Sequence, residues 1–231
     1  MAQAGLAEAL RAADRRAGEL VHERRLAEAL AVYERLVAVA PDELWVRVQQ
    51  GRVLLLGDDC ARALAHFEDL TRRFPQAEAA WQGLGKACCD QQRCDAAVAA
   101  FTRAAELSRA PALALYHRGM AHLLAGRFGD GWRDYQQRLA VPALRPRLFD
   151  RPLWDGTPLA GRRLLVLCEQ GYGDVFQFIR YLPLLRALDG PVVFECPAEL
   201  RALLAPCWAA SRSCRWRGAS RPPRRSTATS T

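Results

Sequence analysis

The 231-residue sequence predicts a mainly α-helical protein, in which an α-solenoid is followed by a partial α/β segment. Two observations give this prediction. Small and aromatic residues recur with a period of 34 through the first two-thirds of the chain. Beyond the repeats, apolar runs of strand length alternate with amphipathic helical patterns. The composition, 51% hydrophobic and 25% charged, is typical of a globular protein and excludes wholesale disorder.

Four repeat units are predicted, near residues 10–43, 44–77, 78–111 and 112–145. Each unit is expected to form two amphipathic helices. Small residues at the eighth and twentieth positions let the helices approach closely, and an aromatic residue at the twenty-fourth fills the space beside them. These positions are occupied by Ala17, Gly51, Gly85 and Gly119, by Ala29, Ala63, Ala97 and Gly131, and by Tyr33, Phe67, Phe101 and Tyr135.

The third unit, with Trp81, Leu84, Gly85, Ala97 and Phe101, resembles the tetratricopeptide repeat (TPR). This resemblance implies a TPR α-solenoid over residues 1–145, with a concave surface lined by the first helix of each unit. One interpretation is a groove for a protein or peptide; the other is that these side chains only stack the solenoid or cover the next domain. The groove would present Trp45, Val48, Arg52, Leu55, Gln82, Lys86, Cys89, Tyr116 and Met120.

Arg52 and Lys86 occupy equivalent positions of two successive units, so an acidic partner would suit this surface.

A proline-rich joint is predicted over residues 146–161, and its apolar side chains are expected to be packed down. Residues 162–206 follow as a partial α/β segment. Residues 162–168 suit a strand buried on both faces, Asp174 suits the N-cap of the next helix, and Pro183 should kink or end that helix. A second strand at 192–196 and a helix from 197 to 204 complete a β-α-β-α order, the start of a Rossmann-like domain.

The loop at 169–174 lies at the carboxyl end of the first predicted strand, where open α/β sheets bind ligands. Gly171 and Gly173 would permit close backbone approach and positive φ. The loop is neither a G-x-G-x-x-G fingerprint nor a Walker loop, so the glycines alone do not indicate nucleotide binding.

The stretch E-Q-G-x-G-D-x-x-Q-F-x-R-Y at 169–181, with segments 131–135 and 152–162, resembles a bacterial family. Its members fuse TPR units to a glycosyltransferase domain of the GT-B, heptosyltransferase-like type. The resemblance implies that Asp174 is the base that deprotonates an acceptor hydroxyl. The alternative is that Asp174 only caps a helix. The substrate-binding neighbours implied are Glu169, Gln170, Gly171, Gly173, Gln177, Arg180 and Tyr181.

The resemblance ends near Ala205, and the first 206 residues are close to neutral because six of the net eight positive charges lie in 207–231. That basic tail is expected to be disordered. It is either a nucleic-acid or membrane-surface arm or a translated wrong frame, and the abruptness of the change favours the latter. The glycosyltransferase-like domain is then truncated, since its donor-binding lobe is absent.

Three functions follow from these patterns. The preferred one is a TPR protein-interaction module that carries the beginning of a glycosyltransferase-like domain and is catalytically incomplete. The alternative is a glycosyltransferase that uses a nucleotide sugar and whose catalytic lobe is lost by a frame error. A nucleic-acid binder that uses the arginine tail is the weakest.

The cysteine pattern favours a reducing compartment. Eight cysteines contain no C-x-x-C pair and no zinc-finger spacing, so neither metal nor cofactor is expected. No secretory signal and no membrane-spanning run is visible. We therefore expect a cytoplasmic protein.

Overall fold

A computed structural model describes residues 2–144, 149–169, 171–208 and 214–218. The chain divides into two compact units, Met1–Pro146 and Arg147–Thr231.

The first unit is a stack of eight α-helices in which each helix contacts the next. The helix α5 also contacts α3 and α7, so the first helices of the last three pairs lie side by side. Short 3-10 segments follow at Gln136–Ala140 and Pro142–Leu144. The helices are α1 (Ala2–His22), α2 (Leu26–Val39), α3 (Leu44–Leu56), α4 (Cys60–Arg73), α5 (Glu78–Asp90), α6 (Cys94–Leu107), α7 (Ala112–Leu124) and α8 (Phe128–Tyr135).

Close packing within each helix pair rests on a small residue that faces an aromatic one sixteen positions later. A Cβ added to Gly85 would lie 2.5 Å from Cε1 of Phe101. A Cβ on Gly119 would lie 2.6 Å from the backbone nitrogen of Tyr135, so there the two helix backbones themselves are in contact. The eighth position of the repeat thus has the packing role that the sequence predicts, because any larger side chain would separate the helices.

The turn inside each helix pair is also periodic. Arg24, Asp58, Gln92 and Gly126 all have positive φ, at 63°, 57°, 56° and 75°. They are spaced by 34 residues, so the same left-handed turn joins the two helices of every repeat. Three of the four are not glycine and adopt a conformation that is strained for an L side chain.

The second unit contains a parallel sheet in the order β1-β2-β3, formed by Leu164–Leu167, Val192–Cys196 and Cys214–Gly218. Between β1 and β2 lie α9 (Tyr172–Phe178) and a 3-10 helix at Ile179–Ala187. Between β2 and β3 lie a 3-10 turn at Ala198–Leu200 and α10 (Arg201–Trp208). A sheet of this size does not establish the Rossmann-like segment that the sequence predicts.

Local details of this unit differ from the sequence expectations. The first strand is half-buried rather than buried on both faces, because β1 is an edge of the sheet. The N-cap of α9 is Gly171, so Asp174 lies inside the first turn instead of capping it. The α-helical part ends at Phe178, five residues before Pro183, because that proline offers no N–H to the carbonyl of Ile179 and clashes with it.

The joint and the tail also depart from expectation. Leu153 is 72% exposed, so this part of the joint is not packed down. The end of the joint is instead held by Asp189, whose carboxylate accepts hydrogen bonds from the backbone N–H groups of Leu159 and Ala160 at 2.8 Å each. Cys214–Gly218 forms a strand inside the tail for which the sequence shows no strand pattern. Most of that tail, at 209–213 and 219–231, lies outside the described residues. Within the described part of the chain, no helix is long and apolar enough to span a bilayer.

Candidate functional site

The first helices α3, α5 and α7 each carry one outward stripe of side chains, and together these stripes form what we call the first-helix face. All nine predicted groove residues lie on these three helices, but Leu55 and Cys89 are partly buried against the core. Trp45, Arg52, Lys86 and Met120 are exposed, whereas Val48, Gln82 and Tyr116 are half-buried. Because α5 contacts both α3 and α7, the three stripes are adjacent.

Two cations lie in the middle of this face without a carboxylate partner among the described residues. Arg52 donates to Oε1 of Gln49, a neutral acceptor, at 3.2 Å. Desolvation lowers the pKa of the Lys86 ammonium, and the nearby Arg52 charge lowers it further, while Asp90 acts in the opposite direction. The two cations are therefore close enough to repel each other.

Beside Lys86, the imidazole of His117 and the side-chain amide of Gln82 lie 3.1 Å apart, Nδ1 to Oε1. With the proton on Nδ1, the imidazole donates this hydrogen bond. Burial lowers the pKa of His117 to about 4, and the charge of Lys86 contributes in the same direction. The ring of His117 also lies between those of Phe101 and Tyr116, with centroids 5.4 Å from each. This histidine is thus a neutral link between α5 and α7 at neutral pH.

The α7 part of the face is apolar. Met120 is 45% exposed and Leu124 is 56% exposed, with Leu113 on the same stripe. Leu56 on α3 is also exposed. Sequence reasoning missed Leu56, Leu113 and Leu124, although they stand at the second and thirteenth repeat positions, which the period of 34 makes equivalent.

A part-buried ion pair joins α7 to the second helix of the same repeat, α8. Nε of Arg118 donates to Oδ2 of Asp134 at 2.6 Å, and Nη2 donates to Oδ1 at 3.2 Å. Nη1 of the same arginine donates to Thr102 at 3.3 Å, so one side chain connects α6, α7 and α8. Sequence reasoning missed this pair too, although its spacing of sixteen equals that of Gly119 and Tyr135.

The second-unit candidates lie on one short stretch. Asp174, Gln177, Arg180 and Tyr181 are exposed on α9 and the 3-10 helix after it, and Glu169 precedes them. Nε of Arg180 donates to the backbone oxygen of Gln177 at 2.8 Å. Gln170 lies outside the described residues.

The two loop glycines differ from expectation. Gly171 has φ of −72°, and neither it nor Gly173 has positive φ. A Cβ added at either position would meet nothing within 4 Å. The backbone here therefore has no need of glycine, and the expectation of positive φ is wrong.

Metal-binding groups do not cluster in the described part of the chain, where no three His, Cys, Asp or Glu side chains come together as a ligand set. Burial raises the pKa of the Cys89 and Cys168 thiols to about 11 in each case. Both thiols are therefore protonated at neutral pH.

Comparisons with known proteins agree with the helical repeats. The sequence matches no family model. It is 29% identical over 189 residues to protein FlbA of Caulobacter vibrioides, an alignment that covers 78% of this chain and 31% of FlbA. The chain thus spans about a third of FlbA, and the likeness extends beyond the first unit, which ends at Pro146.

Among solved structures, TTC0263, a TPR protein of Thermus thermophilus, has a TM-score of 0.53 at 19% identity, covering 58% of this chain and 75% of that one. MamA of Desulfovibrio magneticus has a TM-score of 0.46 at 18% identity, covering 59% and 75%. The likeness to TTC0263 shows that the chain contains a TPR-like fold, which is the fold predicted from the repeat period.

Proposed function

We propose that this protein is an interaction module whose first unit binds an extended segment of a partner protein along the first-helix face. In TPR solenoids, stacked repeats curve and create extended concave binding surfaces. One observation carries the proposal. Exposed large apolar side chains on α3 and α7 lie beside cations on α3 and α5 that have no ion-pair partner among the described residues. Exposed apolar patches rimmed by polar groups mark interaction sites on soluble proteins.

A peptide selection tests this proposal. A library of random decapeptides displayed on phage is selected on the full chain, and the affinity of the enriched peptides is measured by fluorescence anisotropy. Replacing Leu113 and Met120 by serine should weaken binding about tenfold or more, because the apolar contact is lost.

The matched control replaces Val39 and Phe128 by serine. Both are exposed apolar side chains, but they lie outside the first-helix face. This control should bind the selected peptides as the unaltered chain does. Equal losses in both double variants, or none in either, would contradict the proposal.

For the second unit we propose the beginning of a glycosyltransferase-like lobe, with Asp174 as its candidate base. The support is the sequence resemblance over residues 131–181 together with the parallel order of β1 and β2. Glycosyl transfer by this chain is not part of the proposal, and a nucleotide sugar is a ligand only of a complete domain. Reading the coding DNA beyond Leu204 in all frames tests it: a further α/β pattern in another frame supports it, and its absence argues against it.

The organisation into residues 1–145, 146–161, 162–206 and 207–231 and the cytoplasmic location stay predictions. Limited proteolysis of the full chain tests the first, and cell fractionation tests the second.

A further inference from the structure

We infer that the bound segment contains a carboxylate side chain and, a few residues away, a large apolar side chain. The carboxylate lies between Arg52 and Lys86, and the apolar side chain lies on Leu113, Met120 and Leu124 of α7. This inference rests on the proposed function and names the chemistry of the partner.

The cations of the first unit differ in whether a carboxylate of the same chain lies beside them. Ten of the nineteen described Arg and Lys side chains of the first unit lie within 4.0 Å of a described carboxylate, as Arg118 does with Asp134 and Arg127 with Asp95, and Arg52 and Lys86 are not among the ten. Arg52 and Lys86 occupy equivalent repeat positions on the packed helices α3 and α5, and the repulsion between them is seen in the pKa of the Lys86 ammonium, which the charge of Arg52 lowers. A partner carboxylate between them would remove that repulsion and accept hydrogen bonds from both.

Nearby neutral groups fit the same ligand. Gln49 and Gln82 stand beside the two cations on α3 and α5. The amide nitrogen of Gln49 can donate to the peptide backbone of an extended segment, whereas that of Gln82 lies 3.5 Å from Oε1 of Glu78 and would have to exchange this partner. Because burial keeps His117 uncharged at neutral pH, the positive charge on this part of the face comes from Arg52 and Lys86.

The spacing of the two recognised groups follows from helix packing. The axes of packed helices lie about 8–10 Å apart, so a point between α3 and α5 is about 12–15 Å from α7. An extended peptide advances about 3.3 Å per residue. The acidic and apolar side chains of the partner should therefore be separated by about four residues.

The peptide selection described above tests this inference when it is repeated with a charge-reversed chain. The unaltered chain should enrich decapeptides with Asp or Glu about four residues from Leu, Ile, Phe or Met. The variant with Arg52→Glu and Lys86→Glu should bind these peptides at least about tenfold more weakly and should enrich Lys or Arg instead. The matched control is Arg35→Glu with Arg109→Glu, which reverses two exposed charges elsewhere and should enrich the same peptides as the unaltered chain.

The outcomes separate this inference from the function on which it rests. Enriched peptides without an acidic residue, which still lose affinity when Leu113 and Met120 become serine, would overturn the inference and leave the proposed function standing. If no variant of the first-helix face changes the affinity of the enriched peptides, both the inference and the proposed function are overturned. A circular dichroism spectrum of each variant confirms that the helices have formed before its peptides are compared.

Discussion

Nδ1 of His117 lies 3.1 Å from Oε1 of Gln82, and this contact joins the first helices of two consecutive repeats. It crosses the first-helix face between the cations at Arg52 and Lys86 and the apolar stripe of α7. The two residues are 35 positions apart, one repeat and one residue, so the contact is a consequence of the stacking of repeats. The same imidazole makes the stability of the repeats depend on pH.

The first prediction concerns that pH dependence. Since burial lowers the pKa of His117 from 6.5 to about 4, the unfolded chain binds the proton more readily between these values. Lowering the pH from neutral to about 5 should therefore reduce the free energy of unfolding, with about 2 kcal/mol coming from this residue. Urea unfolding at both pH values measures it. In the His117→Gln variant, the free energy of unfolding should fall less between the two pH values, because only the smaller contribution of His66, whose pKa burial also lowers, is left. A fall as large as in the unaltered chain would contradict the account.

The second prediction concerns Gly83, which faces the ring of Phe67 in the preceding repeat. A Cβ at this position would overlap the ring. Gly83→Ala should lower the free energy of unfolding by about 1–3 kcal/mol through overpacking. Gly18→Ala in α1 is the control, because its Cβ meets nothing within 4 Å and alanine favours the helix by up to about 1 kcal/mol. Denaturant midpoints should move in opposite directions for the two variants.

The third prediction concerns the pair of Arg118 and Asp134. Their side chains are 25% and 14% exposed, so truncating either partner leaves a poorly solvated charge. Asp134→Asn should cost about 2–3 kcal/mol. The exposed pair of Arg133 and Asp130 is the control, and Asp130→Asn should cost less than about 1 kcal/mol. A double-mutant cycle on each pair measures its coupling free energy. Equal coupling in the part-buried and the exposed pair would contradict this prediction.

The fourth prediction uses the periodic turn. Gln92 has φ of 56°, whereas the equivalent position of the next repeat is Gly126 with φ of 75°. Gln92→Gly should raise the free energy of unfolding by up to about 1 kcal/mol, because strain is relieved by more than glycine loses in chain entropy. The reverse change, Gly126→Ala, should lower it by a similar amount. Thermal unfolding of both variants checks the signs.

The repeat architecture could be predicted from the sequence because its period is carried by residue types with only one packing role. A glycine opposite an aromatic residue, as in Gly85 and Phe101, is visible as a spacing of sixteen. The left-handed turn residues Arg24, Asp58 and Gln92 share the same period but differ in chemistry, so no residue type reveals them.

Burial in the second unit could not be predicted in the same way. The apolar run at 162–168 predicts a strand buried on both faces, yet Leu164–Leu167 is half-buried throughout. An apolar run shows that a strand can be buried but not what covers its faces, and among the described residues β1 has a neighbouring strand on one side only.

The most direct test of the interaction surface is a cross-linking measurement on the full chain. A benzophenone group is placed at the apolar position of a peptide enriched by the selection, and the adducts are located by mass spectrometry after irradiation. We expect adducts at Leu113, Met120 and Leu124 on α7, with competition by the unlabelled peptide. Adducts on the second helices α2, α4 and α6, or on the second unit, would contradict the account.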